Sequence, residues 1–129
     1  MKRILIVDDT PGYAEELRDQ FFSRYGADKV SVEICRDPLA GLRLAGPQWH
    51  LTLVDLEMPI LDGRRFLDAA TARGANKKRI IILSARDAEH LHERFPSGCC
   101  LAVINKTEPK QQEALWMMID SVMRKADTV

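Results

Sequence analysis

The chain has 129 residues, which fits one domain at roughly 100 to 200 residues per domain, so we expect a single domain over residues 1–129. Its 19 basic and 19 acidic side chains give a formal net charge of zero, which argues against a dedicated nucleic-acid binder. Apolar residues form 46% of the chain and charged residues 29%, a balance that is not that of an intrinsically disordered protein.

The sequence offers no candidate for a membrane span or a secretory signal. Its apolar runs are only a few residues long, far short of the roughly 20 that a membrane span requires. Asp8 and Asp9 interrupt the apolar stretch near the N-terminus, so we expect no signal peptide there. The three cysteines, Cys35, Cys99 and Cys100, lack metal-ligand spacing and indicate a reduced, cytoplasmic protein with small buried thiols.

Five short apolar runs have the length of β-strands. Four of them are continuous rather than alternating, as expected for strands that are covered on both faces. The second run alternates with Ser31 and Glu33, which predicts an edge strand with one wetter face. In chain order the predicted strands cover residues 4–7, 30–34, 51–54, 80–83 and 101–104.

Amphipathic segments follow each of these strands. Thr10 and Pro11 have the residue types of a helix cap and first turn, and Gly26 ends the first helix. The other predicted helices cover residues 38–45, 63–73, a stretch around Ala88, Leu91 and Phe95, and about 109–126. Five strands that alternate with five helices predict an α/β fold with a doubly wound, five-stranded parallel sheet.

Chemically complementary side chains follow four of the strands at one edge of this sheet. Doubly wound sheets bind their ligands at the carboxyl ends of the strands. Asp8 and Asp9 follow the first strand, Asp55 the third, Ser84 the fourth and Lys106 the fifth. One acidic residue at a strand end is commonly a helix cap, but five complementary residues at one edge indicate a functional site.

The residue types at this edge favour phosphoryl chemistry. Carboxylates repel one another unless a cation lies among them, and oxygen ligands without His or Cys suit Mg²⁺. Lys106 and Ser84 would then contact the remaining phosphoryl oxygens. Because an aspartate can attack phosphorus and form an acyl phosphate, Asp55 is the central candidate nucleophile.

Four segments, ILIVDDTP, LTLVDLEMPILDG, IIILSA and INK, resemble those of the receiver domains of two-component response regulators, the CheY-like superfamily. The resemblance covers essentially the whole chain and implies a flavodoxin-like (βα)5 fold. It also implies Mg²⁺-dependent phosphoryl transfer from a histidine kinase or histidine phosphotransfer protein to Asp55. By the same resemblance Ser84 is the hydroxyl switch residue and Lys106 contacts the phosphate. The implied metal ligands are Asp8, Asp9, Asp55 and the backbone carbonyl of Glu57.

Two positions depart from the family pattern. The aromatic switch residue is replaced by Val103, and the cis proline after the lysine is replaced by Thr107. A cis bond before a residue other than proline costs about 2.5 to 4 kcal/mol, so we expect a trans bond and a rearranged loop. Because valine has one stiff torsion and little reach, we expect activation to act mainly through the loops after the last two strands and through the packing of the last helix.

Two residues are predicted to control hydrolysis of the acyl phosphate. In the family, the positions of Glu57 and Arg86 flank the path of the attacking water. Their opposite charges predict an ion pair that obstructs this path. The alternative is that both side chains point into solvent, where such a pair is worth about 0 to 1 kcal/mol.

The last helix carries a candidate interaction surface. Its core face is predicted to consist of Leu115, Met118, Ile119 and Val122. This leaves Trp116 on the flank and Met117 nearly opposite. Trp and Met are enriched at interface cores, so these two residues indicate either a partner surface or merely scattered surface residues.

The sequence favours a signalling switch that catalyses only its own phosphorylation and dephosphorylation. Its expected output is an unknown downstream protein or a second copy, bound through the face of the fourth helix, fifth strand and fifth helix. No direct nucleic-acid or membrane partner is expected. The alternative is a receiver-like interaction module that acts independently of phosphorylation. A Mg²⁺-dependent phosphohydrolase is disfavoured because the short loop after Asp55 has no insertion large enough for a substrate cap.

Overall fold

The computed structural model describes residues 1–56, 63–85 and 98–125. In these residues, five strands form one sheet in the order β2-β1-β3-β4-β5, and every neighbouring pair is parallel. The strands are β1 (Lys2–Val7), β2 (Val30–Cys35), β3 (Leu51–Asp55), β4 (Ile80–Ser84) and β5 (Ala102–Asn105). The predicted doubly wound parallel sheet is confirmed, and β2 lies at an edge as its alternating sequence predicted.

Four helices connect or follow these strands within the described residues. They are α1 (Tyr13–Tyr25), α2 (Pro38–Leu44), α3 (Gly63–Ala72) and α4 (Pro109–Met123), and a 3₁₀ turn covers Lys77–Arg79. The predicted helix around Ala88, Leu91 and Phe95 lies outside the described residues. None of the helices described is long and apolar enough to cross a membrane.

The core has two layers, one on each face of the sheet, because successive residues of a strand point to opposite faces. We call them the α1–α4 layer and the α2–α3 layer after the helices that cover them. The α1–α4 layer includes Ile4, Ile6, Phe21, Leu53 and Ile119. The α2–α3 layer includes Leu5, Val7, Trp49, Val54 and Phe66.

The start of α1 differs from the prediction. Thr10 and Pro11 do not cap the helix, which begins at Tyr13 with Gly12 as its N-cap and no side-chain cap bond. Gly12 has φ of +83°, a left-handed conformation that side chains disfavour, and nothing fills the space beside it. The chain therefore turns sharply after β1, and Thr10 is left beside the carboxyl edge of the sheet.

The position of Trp116 also differs from the prediction. Its side chain is only 7% exposed, whereas Met117 is 72% exposed. The edge of Phe21 packs on the Trp116 ring at 5.1 Å between centroids, and the Arg24 guanidinium lies 4.3 Å above it. Trp116 is thus part of the α1–α4 layer and not of an exposed interaction surface.

The cysteines are free thiols, and Cys35 is buried as predicted. Cys99 and Cys100 are half-buried and pack against the α2–α3 layer. Burial raises the pKa of the Cys100 thiol to about 12, with a further contribution from Cys99. The Cys100 thiol is therefore neutral at physiological pH.

Candidate functional site

Three of the predicted site residues leave the sheet on the same face. Because side chains alternate along a strand, Asp8, Asp55 and Lys106 each lie two positions after a core residue of the α1–α4 layer. Those core residues are Ile6, Leu53 and Ile104. The alternation of side chains along β1, β3 and β5 therefore brings two carboxylates and one ammonium to the carboxyl edge, next to the start of α1.

The carboxylates form a compact cluster. Asp8 is fully buried and Asp55 is 2% exposed, while Asp9 is more open to solvent. Each of the three carboxylates offers an oxygen, and these oxygens all lie within 4.8 Å of one another. A set of carboxylate oxygens without nitrogen or sulfur ligands suits a hard divalent cation such as Mg²⁺. The donor chemistry therefore fits the metal that the sequence predicted.

Lys106 supplies the positive charge that this cluster needs. Its Nζ lies 2.7 Å from Asp8 Oδ2 and 3.3 Å from Asp55 Oδ2, and its side chain is only 8% exposed. Burying carboxylates without a paired cation is strongly unfavourable, so the folded protein depends on this contact. The structure thus brings together Asp8, Asp55 and Lys106 as predicted.

The backbone of β4 and β5 holds Lys106 in place. The Lys106 amide donates a hydrogen bond to the Ser84 carbonyl at 2.7 Å, which continues the pairing of the two strands beyond Asn105. Ser84 is fully buried at the end of β4. It therefore lies at the same edge as the acidic cluster, and the backbone couples its position to that of Lys106.

The loop after Lys106 follows the predicted trans path. No peptide bond is cis in the part of the chain that the structure describes, so the bond between Lys106 and Thr107 is trans. Asn105 Oδ1 accepts hydrogen bonds from the Thr107 amide and hydroxyl, each at 2.8 Å. This side-chain turn leads directly into α4, whose first residue is Pro109.

Of the other predicted positions, the structure describes Val103 but not Glu57 or Arg86. Val103 is half-buried against the α2–α3 layer, on the opposite face of the sheet from Lys106. Glu57 and Arg86 lie outside the described residues. The predicted metal contact of Glu57 and the predicted ion pair between Glu57 and Arg86 remain predictions.

Two residues outside the predicted site, Thr10 and Tyr13, also contact Lys106. Its Nζ donates a hydrogen bond to Thr10 Oγ1 at 3.1 Å and lies 4.6 Å from the centre of the Tyr13 ring. Burial raises the pKa of Tyr13 to about 12, so the phenol is neutral at physiological pH. The spacing of Tyr13, Leu17 and Phe21 at four-residue intervals could have placed Tyr13 on the inner face of α1.

Known structures share this architecture. No protein-family model matches the sequence. The non-phosphorylated HemR receiver domain from Leptospira biflexa matches with a TM-score of 0.75 at 22% identity, covering 98% of this chain and 97% of that one. The fold is that of a receiver domain. Chemotaxis protein CheY4 of Vibrio cholerae has the same receiver fold, with a TM-score of 0.74 at 18% identity over 95% of this chain and 98% of that one.

Two further similar proteins are a receiver domain with a bound metal ion and a protein named as an enzyme. The receiver domain of a sensor histidine kinase from Pseudomonas aeruginosa, with a magnesium ion coordinated in its active-site cleft, matches with a TM-score of 0.68 at 20% identity. That match covers 94% of this chain and 97% of the other. Protein-glutamate methylesterase/protein-glutamine glutaminase 5 of Myxococcus xanthus strain DK1622 is 28% identical over 127 residues. That match covers 98% of this chain but only 36% of the length of that protein.

Proposed function

We propose that residues 1–129 form a phospho-accepting receiver domain of two-component signal transduction. In the proposed reaction, a phosphoryl group passes from a phosphohistidine of a histidine kinase or histidine phosphotransfer protein to Asp55, in a step that requires Mg²⁺. The burial of Asp8, Asp55 and Lys106 together at the carboxyl edge of a receiver fold carries this proposal.

Asp55 is the nucleophile in this proposal. An oxygen of its carboxylate attacks phosphorus in line with the P–N bond, which breaks as the new P–O bond forms. The electron pair of the P–N bond returns to the imidazole nitrogen of the partner. Lys106, 3.3 Å from Asp55 Oδ2, would contact one phosphoryl oxygen, and the Ser84 hydroxyl would donate to another.

A Mg²⁺ ion and its ligands complete the proposed site. When Mg²⁺ is bound, it would neutralise phosphoryl oxygens. Its proposed ligands are Asp8, Asp9, Asp55 and the backbone carbonyl of Glu57. The acidic cluster supports this assignment, since its three carboxylates lie close enough to share one cation.

The test is intact mass spectrometry after incubation with Mg²⁺ and acetyl phosphate, a small phosphodonor. We expect wild type to gain the mass of one phosphoryl group and Asp55→Asn to gain none. Asp19→Asn, at a side chain that is 72% exposed, is the matched control and should react like wild type. A wild type that gains no phosphate from a donor shown to be active would overturn the proposal.

The proposed output is a change in a protein-interaction surface formed by the predicted fourth helix, β5 and α4. The partner would be a downstream protein or a second copy of the chain. Met117 of α4 is an exposed apolar group, with 72% of its surface accessible, and it lines a groove between α4 and α1. The proposed place of action is the cytoplasm, because free thiols fit a reducing compartment.

One observation favours a second candidate, an interaction module that binds its partner regardless of phosphate. Val103 is short, half-buried and packed against the α2–α3 layer, so it offers no large side chain to switch between two positions. Binding of the partner by wild type and Asp55→Asn with equal affinity, with and without acetyl phosphate, would favour this candidate.

A further inference from the structure

Among the residues that the structure describes, two charged and two neutral groups lie close to the ammonium of Lys106. The ammonium lies 2.7 Å from Asp8 Oδ2 and 3.3 Å from Asp55 Oδ2 as ion pairs, and it donates a hydrogen bond to Thr10 Oγ1 at 3.1 Å. The face of the Tyr13 ring lies 4.6 Å away on the side of α1. The negative face of an aromatic ring attracts a cation, most strongly where water is excluded.

The two charged neighbours of Lys106 are also candidate ligands of a metal ion. Asp8 and Asp55 belong to the acidic cluster that fits a divalent cation, so with such a cation bound they no longer serve the lysine alone. The added positive charge would also repel the ammonium. Thr10 and Tyr13 carry no charge to share and would keep their contacts with Lys106 in that state.

The local fold gives both residues fixed positions. The Thr10 amide donates to Asp8 Oδ1 at 2.7 Å, which ties the Thr10 backbone to the carboxylate beside the lysine. Tyr13 is the first residue of α1, and its side chain packs against the α1–α4 layer. Thr10 and Tyr13 are therefore each held by a contact other than the one to Lys106.

We propose that Thr10 and Tyr13 are positioning residues that hold the Lys106 ammonium at the site when Mg²⁺ occupies the carboxylates. This inference rests on the proposed function, because the step it serves is phosphoryl transfer to Asp55. Both residues act through Lys106 and touch no reacting atom.

The first test measures the rate of phosphorylation by acetyl phosphate at saturating Mg²⁺. Tyr13→Leu should lower the rate constant about tenfold, and Tyr13→Phe, which keeps the ring, should restore it. Thr10→Val should lower it about threefold, and Thr10→Ser should restore it. Thr10 is exposed, so Thr10→Val tests the proposal on a folded protein even if Tyr13→Leu is unstable.

A Lys106→Met background separates positioning from a general structural role. If both residues act through Lys106, Tyr13→Leu and Thr10→Val should cause no further loss of rate in this background. An equal loss with and without Lys106 would overturn the proposal. The proposal would also be overturned if wild type is phosphorylated and both single variants are phosphorylated at the same rate as wild type.

Nuclear magnetic resonance of the unphosphorylated protein gives a readout that is independent of activity. The ring of Tyr13 should shift the side-chain proton resonances of Lys106, with and without Mg²⁺, in wild type and in Tyr13→Phe. Tyr13→Leu should abolish this shift. Loss of the shift in wild type on addition of Mg²⁺ would overturn the positioning role. Absence of any phosphorylation of wild type would instead overturn the proposed function.

Discussion

Lys106 is the residue on which the stability of the buried acidic cluster depends. Replacing it with methionine keeps much of the side chain's apolar length but leaves Asp8 and Asp55 buried without their cation. Breaking a buried ion pair in this way costs about 3 to 5 kcal/mol, so we expect Lys106→Met to lower the free energy of unfolding by about that amount.

Urea denaturation with and without Mg²⁺ measures this effect. Mg²⁺ should stabilise Lys106→Met more than wild type, because the metal would replace the missing positive charge. Lys110→Met, at an exposed position of α4, is the control and should unfold like wild type. Equal stability of wild type and Lys106→Met in the absence of metal would contradict the prediction.

A second prediction concerns Tyr25, which joins α1 to α4. Its hydroxyl donates to Asp120 Oδ1, and burial, together with this bond, raises its pKa well above the ordinary value of 10.0. A raised pKa in the folded state means that the neutral phenol stabilises the fold below about pH 10 and that this contribution is lost as pH rises further. Tyr25→Phe should be less stable than wild type at pH 8.

The check on Tyr25 is the difference in unfolding free energy between the two proteins. This difference should shrink between pH 8 and pH 11, since only wild type has the Tyr25 phenol to ionise. If the difference stays constant between pH 8 and pH 11, protonation of the Tyr25 phenol does not contribute to stability through the bond to Asp120.

At the scale of single residues, the sequence predicts the charged groups of the site better than the neutral ones. Asp8, Asp55 and Lys106 follow apolar strands, and strand alternation alone brings them to one face. The sequence predicts a helix cap at Thr10 because threonine directly before proline is a common start of a helix. In the folded chain Gly12 takes the cap position, and the Thr10 hydroxyl contacts Lys106 instead.

Among the elements, α2 makes an unusually close approach to the sheet. A Cβ atom at Gly41 would lie 2.6 Å from Val7 Cγ1 and 2.9 Å from Val7 Cγ2. In an isolated helix, alanine is favoured over glycine by about 1 kcal/mol. Overpacking a core costs about 1 to 3 kcal/mol, so we expect the steric term to prevail and Gly41→Ala to be destabilising.

A substitution of Val7, the β1 residue that a Cβ atom at Gly41 would contact, provides the control for this prediction. In a Val7→Ala background the two contacting methyl groups are absent, and Gly41→Ala should then be neutral or stabilising. Urea denaturation of the four proteins gives the interaction energy between the two positions. If Gly41→Ala is stabilising with Val7 present, α2 does not pack as closely as the structure shows.

The sequence pattern of a single helix predicts the buried side of α4 only in part. Periodicity placed Leu115 and Ile119 in the core and Met117 outside it, as observed. The pattern predicts Trp116 on the flank of the helix, because the periodicity of one helix does not reveal which other helix packs beside it. Phe21 and Arg24 of α1 cover its ring, and this contact depends on how the two helices pack.

For the whole molecule, we expect phosphorylation to act along the backbone link between β4 and β5. The Lys106 amide is bonded to the Ser84 carbonyl, and the turn at Asn105 connects both to the start of α4. Amide spectra of the free and beryllofluoride-bound protein should therefore differ most over residues 84–89 and 106–116. Largest changes in α1 or α2, with these segments unchanged, would contradict this expectation.

The order of the strands has a consequence for how the protein is made. Strand β1 lies between β2 and β3, so the first 55 residues contain three adjacent strands and both buried carboxylates, Asp8 and Asp55. The ribosome releases Lys106 and α4 only later, because synthesis runs from the N-terminus. Pairing of the three strands at that stage would bring two like charges together before their counter-ion is present. We therefore expect folding during translation to be completed only after the last strand and helix have emerged.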